Sequence, residues 1–325
     1  MLENLKKEYR STLKSSDTEE NIDLFFYRPI GFAWACLFRR LHIHPNAVTI
    51  TSMFLGIGAA ICFYYSNVRA TLAGMLLLIW ANSYDSADGQ LARMTHRFSK
   101  IGRILDGAAG DVWFVSIYVA ICLRTVRDVP FFHQHSWIIW VLAILAGLCH
   151  ARQAATADYY RQAHLFFLKG KKGSELDSST DIEIRYRENK MRGRRINALV
   201  DLFYLGYTRM QERSTPHFQR LRNELRGLDE QSPRYSQISD RFLPLSFPLC
   251  KWENFMTFNW RCITLFVCLL LNMPWVYFVV ELTIFNVVLL YTTRKHENIC
   301  RKVLEHTATE AHAETTPQNH PLNTF

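Results

Sequence analysis

A chain of 325 residues with a mean hydropathy of −0.06 has the average polarity of a soluble protein, yet its apolar residues are gathered into blocks. Eight scattered cysteines with no Cys-x-x-Cys pair exclude a zinc ribbon or a disulfide framework. The formal charge of +9 does not require nucleic acid, because basic loops lying against anionic lipid account for it.

Taken in order, residues 1–20 are polar and read as a loosely ordered tail, and the first ten lack the apolar run of a cleaved signal peptide. Residues 23–41 interleave Leu24, Phe25, Phe26, Ile30, Trp34 and Phe38 with Arg28, Arg39 and Arg40, the pattern of an amphipathic helix lying in a membrane interface. Pro45 then breaks the chain ahead of six apolar blocks at 48–65, 70–81, 112–123, 137–149, 263–271 and 276–290. Several are shorter than the roughly 20 residues of a spanning helix, and small or weakly polar flanks extend them. Six such blocks leave too little polar surface for a set of soluble core helices. The expected fold class is therefore an all-α integral membrane protein with six transmembrane helices.

Lysine and arginine cluster at 39–40, 93–103, after the fourth block and at 294–295. With six spans these positions share one side, the cytoplasmic one, which also takes both termini and the motif described below. Five segments follow: the tail 1–20; the interfacial helix and spans one to four, 21–161; a basic, mostly helical cytoplasmic insertion, 162–256; spans five and six, 257–295; and a cytoplasmic tail, 296–325, with a disordered end.

The stretch that carries chemistry is Asp85-Ser-Ala-Asp88-Gly89-Gln-Leu-Ala92-Arg93, followed after eight residues by Gly102-Arg-Ile-Leu-Asp106. Asp85 and Asp88 share one helical face. A carboxylate at membrane depth costs about 2.5–3.5 kcal/mol, and three together repel one another as well. Bound divalent cations remove both penalties, and all-oxygen ligands favour Mg²⁺, Mn²⁺ or Ca²⁺. Gly89, Ala92 and Gly102 leave room for close backbone approach. Arg93, Lys100 and Arg103 offer charge to phosphate oxygens. Metal, phosphate and a tight cleft together belong to phosphoryl transfer.

These residues resemble the CDP-alcohol phosphotransferases, whose pattern is Asp-x2-Asp-Gly-x2-Ala-Arg-x8-Gly-x3-Asp-x3-Asp. Asp85, Asp88, Gly89, Ala92, Arg93, Gly102 and Asp106 match at the family spacing, and Arg28-Pro29 and Pro45-Asn46-x-x-Thr49 resemble its upstream segment. The resemblance covers 21–161 well and 257–295 loosely, and it leaves the insertion outside. It implies a two-metal site for Mg²⁺ or Mn²⁺ on the aspartates that grips the diphosphate of a CDP-linked donor. It also implies a cytidine pocket at Asp88, Gly89, Ala92, Arg93 and Gly102, and a last aspartate that deprotonates the acceptor hydroxyl as CMP leaves. A homodimer in a membrane such as a bacterial inner membrane is the family habit.

One position departs from the pattern: Gly110 stands where the fourth aspartate is due, and Asp111 follows it. A straight helix turns Asp111 roughly 140° from Asp106, whereas a π-bulge in the run Gly107-Ala-Ala-Gly110 brings it back as a displaced metal ligand and base. The competing reading makes Asp111 structural. Arg152, Arg161 and Arg261 are further candidates for a donor or acceptor phosphate, while Glu281 and Asn286 read as interhelical hydrogen-bonding groups.

The expected activity joins a phospho-group from CDP-diacylglycerol to inositol phosphate, inositol or glycerol phosphate. The alternatives are head-group transfer onto diacylglycerol or ceramide, and a non-catalytic binder of CDP-lipid. A divalent-cation transporter would spread its acids through the membrane depth, whereas these cluster at one edge.

Overall fold

The computed structural model describes residues 2–12, 18–98, 100–170, 174 and 176–315. Among them every regular element is helical. In chain order these are α1 (Leu2–Thr12), a π turn (Asp23–Tyr27), α2 (Arg28–Arg40), α3 (Pro45–Tyr64), α4 (Val68–Thr95), α5 (Lys100–Asp128), α6 (Pro130–Gln134) and α7 (Ser136–Lys169). There follow α8 (Ser179–Met191), α9 (Arg195–Ser214), α10 (Pro216–Arg226), α11 (Pro233–Glu253), a 3₁₀ turn (Asn254–Met256), α12 (Phe258–Leu270), α13 (Val276–Leu282) and α14 (Ile284–Thr315). The chain divides into two compact units, 1–153 with 254–286 and 154–253 with 287–325.

In the first unit the helix boundaries follow from local chemistry. Pro45 opens α3 while the His44 ring caps the Asn46 N–H at 3.2 Å, and Asn67 caps α4 through Ala70 N at 2.7 Å. His96, in the left-handed conformation, ends α4, and Arg97 N returns to Ala92 O at 3.1 Å. Helix α3 packs along both α4 and α5, while α4 and α5 touch each other sparingly. Small residues on α3 and α4 accept large ones: a Cβ at Gly56 would stand 2.0 Å from Trp113 Cδ1, and one at Gly74 would stand 2.6 Å from Phe63. The Trp113 indole N–H in turn donates to Ser52 O at 2.9 Å. At the far end Arg124 is buried and donates to Phe63 O (3.1 Å) and Asn272 Oδ1 (2.7 Å), tying α5 to the end of α3 and the turn after α12.

The second unit has its own apolar core. Tyr159, Phe166 and Phe167 of α7 pack with Phe218 and Leu221 of α10, Phe242 of α11, and Ile299 and Val303 of α14. Glu297 accepts hydrogen bonds from the first backbone N–H groups of α10, at His217 (2.8 Å) and Phe218 (3.4 Å).

Four points differ from the sequence reading. The stretch 2–12 is a helix rather than a loose tail: Tyr9 meets Phe32 edge-on at 5.3 Å, and Glu8 pairs with Arg39. The insertion is helical as expected, yet it joins the C-terminal stretch 287–325 in one unit. That stretch stays helical to Thr315, and its expected disordered end falls largely outside the described residues. Finally, among the described residues four helical stretches, against six expected spans, are both long and apolar enough to cross a membrane: Pro45–Tyr64, Leu105–Asp128, Ser136–Lys169 and Val276–Thr307. Helix α4 is long enough but carries the polar motif residues in its second half, and α12 has only 13 residues, a rise of about 20 Å.

The Gly56–Trp113 contact generates the first prediction. Gly56→Ala drives a methyl group into the indole and lowers stability by about 1–3 kcal/mol, read as a fall in the thermal midpoint of the purified protein. An unchanged midpoint would remove that contact from the packing that holds α3 to α5.

Candidate metal centre

The centre is assembled by three helices. Thr49, one turn into α3, lies with its hydroxyl 3.2 Å from Pro45 O and donates to Asp88 Oδ2. From the other side α2 presses closely on α4, since a Cβ at Gly31 would stand 2.8 Å from Ser86 Oγ and 3.1 Å from Ala87 N. Gln90 Nε2 donates to Arg28 O at 3.0 Å, and Arg28 pairs with Glu19 at 2.7 Å, so the segment ahead of α2 is pinned to the motif helix.

Asp85 and Asp88 on α4 and Asp106 on α5 converge, with a carboxylate oxygen of each within 4.8 Å of the others. Asp88 is buried, Asp85 half-buried and Asp106 exposed. Two full negative charges at that spacing repel by about 3–4 kcal/mol at an effective dielectric near 20, and a third charge adds two such pairs. Fixed positive charge within reach of Asp88 and Asp106 comes from Arg93, whose Nε and one terminal nitrogen are buried with no hydrogen-bond partner. A Cβ at Gly89 would lie 3.5 Å from that guanidinium, so glycine leaves its face bare. An all-carboxylate donor set graded from buried to exposed fits a hard divalent cation with open coordination positions, and the two orphaned Arg93 nitrogens fit phosphate oxygens.

The remaining candidates separate. Ala92 is half-buried on α4, one turn beyond Asp88. Gly102 opens α5, and the side chains of Lys100 and Arg103 lie outside the described residues. Gly107 and Gly110 face open space on α5. The expected π-bulge is absent: α5 is a regular α-helix from Lys100 to Asp128, so Asp111 keeps its roughly 140° offset from Asp106. It is exposed and stands outside the three-carboxylate cluster.

Arg152 is exposed on α7. Arg161 belongs to the second unit, 3.9 Å from Asp158. It also acts on Glu253, whose carboxyl burial pushes up to about 8 while Arg161 pulls it back down.

Arg261 is the clearest departure from its expected role. It is buried and committed inside the first unit: NH1 donates to both Glu281 oxygens (2.5 and 2.6 Å), NH2 to Gln153 Oε1 (2.8 Å) and Nε to Met256 O (2.9 Å). Tyr277 donates to the same Glu281 at 2.6 Å, and Asn286 Oδ1 accepts from Gln153 at 3.0 Å. Glu281 and Asn286 thus serve as the interhelical groups their sequence setting suggested.

A second group, His296, Glu297 and Cys300, also brings donor atoms within 4.8 Å, but Glu297 caps α10 and His296 Nδ1 lies against Cys300 Sγ at 3.7 Å. Sequence reasoning noted Thr49 without assigning it a partner. A threonine one turn after the Pro45 break was the available signal, and the α3–α4 pairing that gives it meaning is not local.

With this geometry established, comparison with protein families matches residues 42–178 to CDP-alcohol phosphatidyltransferase. The matched segment contains all three clustered carboxylates and Thr49. Comparison with curated proteins finds no match.

The buried ion pair yields a prediction that separates structure from substrate binding. Glu281→Gln leaves the Arg261 charge without its counter-charge and lowers stability by about 3–5 kcal/mol, measured as the thermal midpoint in detergent. A variant of normal stability whose only defect is a raised KM for the acceptor would return Arg261 to the substrate.

Proposed function

We propose, from the premise that over residues 42–178 the chain belongs to the CDP-alcohol phosphatidyltransferase family, that it is a divalent-cation-dependent membrane enzyme using CDP-diacylglycerol as donor. The family's chemistry is phosphotransfer from a CDP-alcohol onto an alcohol in lipid synthesis. The observation that carries the reading is the convergence of Asp85, Asp88 and Asp106 within 4.8 Å on two helices, at the family's spacing.

In this reading the three aspartates hold Mg²⁺ or Mn²⁺, which supplies charge neutralisation for the donor diphosphate. Asp88 is the ligand fixed in advance, because Thr49 holds its carboxylate and burial removes competing water. Arg93 turns its buried, unpartnered N–H groups to a donor phosphate oxygen, and the bare backbone at Gly89 admits the cytidine ring. The acceptor oxygen attacks the β-phosphorus of the donor, the bond to the CMP leaving oxygen breaks, and the acceptor proton passes to solvent-accessible base. Asp111 is left out of the metal set, and its exposure on a regular helix supports a secondary role in proton removal.

A polar acceptor of the inositol, inositol phosphate or glycerol phosphate class suits a lipid-linked donor. With Arg261 committed to Glu281, a phosphorylated acceptor draws on Lys100, Arg103 and Arg152. The basic clusters support a cytoplasmic side for the active site and both termini, and a homodimer is carried over from the family.

The deciding assay is CMP release by purified protein given CDP-diacylglycerol, a panel of acceptors and Mg²⁺ or Mn²⁺. Turnover is expected with a polar acceptor, a 10–100-fold loss in Thr49→Val, and a larger loss in Asp106→Asn. Asp111→Asn should keep most of the rate, and a loss equal to that of Asp106→Asn would make Asp111 the base. CMP release only with a lipid alcohol and a head-group donor would reverse the substrate assignment. Tight CDP-lipid binding with no CMP from any donor would leave a binding protein in place of an enzyme.

A further inference from the structure

Helix α9 is built inside out for a water-facing helix. Its buried positions are Ala198, Asp201, Leu205 and Thr208. The Asp201 carboxylate accepts from Arg185 Nε at 2.9 Å and Asn189 Nδ2 at 2.7 Å, both on α8. The two helices form a tight hairpin, turned at Gly193 (φ +69°) with Arg194 N bonded to Asn189 O at 2.9 Å. A polar cluster around Asp201 thus ties the two helices together, and most of the large apolar side chains of α9 point away.

Ile196, Leu199, Val200, Phe203 and Met210 are all exposed, Ile196 at 80% and Phe203 at 73%, and Met191 at the end of α8 reaches 80%. On a helical wheel the five α9 residues fall within an arc of about 100°. Arg195, Arg209 and Arg213 line one edge of that arc, and Arg192 and Arg194 sit in the turn beside it. Next to the apolar arc, Gly206, Arg209, Met210, Arg213 and Ser214 line an open groove of about 420 Å³.

We infer that the α8–α9 hairpin is a lipid-docking element whose apolar arc enters the interface of an anionic bilayer while its arginines take headgroup phosphates. An apolar face next to an arginine-rich edge is the design of a helix lying in the interface plane, about 5–10 Å into the headgroup–acyl boundary. Arg209 donates to Glu183 on α8 at 2.7 Å and so braces the hairpin, which leaves Arg192, Arg194, Arg195 and Arg213 as the exposed N–H donors beside the apolar arc for headgroup phosphates. Local charge argues against a second copy seated on this same face, since its Arg192, Arg194, Arg195 and Arg213 would meet those of the first. The inference is independent of the catalytic reading, because no residue of the hairpin belongs to the metal centre.

The test uses the full chain in lipid nanodiscs, with an environment-sensitive fluorescent amino acid incorporated at position 196 or 203. A control carries it at position 223, an exposed asparagine on α10. In discs of phosphatidylcholine with phosphatidylglycerol, acyl-brominated lipids should quench positions 196 and 203 at least about twofold more than position 223. The Arg195→Gln/Arg213→Gln variant, altered only at exposed side chains outside the α8–α9 ion pairs, should lose most of that difference. Equal quenching at all three positions overturns the proposal. So does photocrosslinking from position 203 that yields chain dimers in place of lipid adducts.

Discussion

Three carboxylates held within 4.8 Å of one another are an unstable arrangement unless something else in the protein keeps them there. Their mutual repulsion, several kcal/mol over the three pairs, acts to push the motif end of α4 away from the start of α5. Those two helices touch each other little, so the opposing constraint is α3, which packs along both. It does so through bare backbone: Gly56 receives the Trp113 ring of α5, and Gly74 of α4 receives the Phe63 ring of α3. The sparse contact between α4 and α5 is a consequence of that wedge. Thr49 belongs to the same wedge, so the helix that sets the spacing also orients the most buried ligand.

Elsewhere in the first unit a different device holds the helices together. Arg261 and Glu281 form a buried pair with two short contacts, surrounded by Gln153, Tyr118 and Tyr277 as further hydrogen-bond partners. Buried ion pairs give little net stability, but they are intolerant of wrong packing, because any misplacement leaves a charge unpaired. Helices α5, α7, α12 and α13 are thereby locked into one register. The arginine that looked like a phosphate ligand in sequence is a fastener of the scaffold.

How much was legible beforehand follows from the range of each interaction. The aspartate spacing is a local property of one helix and a turn, so Asp85, Asp88 and Asp106 could be grouped from sequence. So could the interhelical character of Glu281, since an isolated acid in an apolar block needs a partner. The partner itself could not be named, because Arg261 is twenty residues away across a turn and looked free to serve elsewhere. The π-bulge rested on the cost of an ionised Asp111 facing lipid; α5 stays regular, and the glycines beside Asp111 open onto space instead. The six-span count weighed apolar blocks alike, whereas α12 is short and α4 gives its second half to the polar motif. The early helix α1 escaped notice because its order comes from tertiary contacts of Glu8 and Tyr9 with α2.

The central claim is that these three carboxylates, and not Asp111, form the cation site. It is tested most directly by titrating purified protein with Mn²⁺ and following the free-ion electron paramagnetic resonance signal, without donor or acceptor. Saturable Mn²⁺ binding is predicted for the wild type and for Asp111→Asn, together with its loss in Asp85→Asn, Asp88→Asn and Asp106→Asn variants that keep the wild-type thermal midpoint. Mn²⁺ binding that survives in those three variants, or that vanishes in Asp111→Asn, would contradict the account.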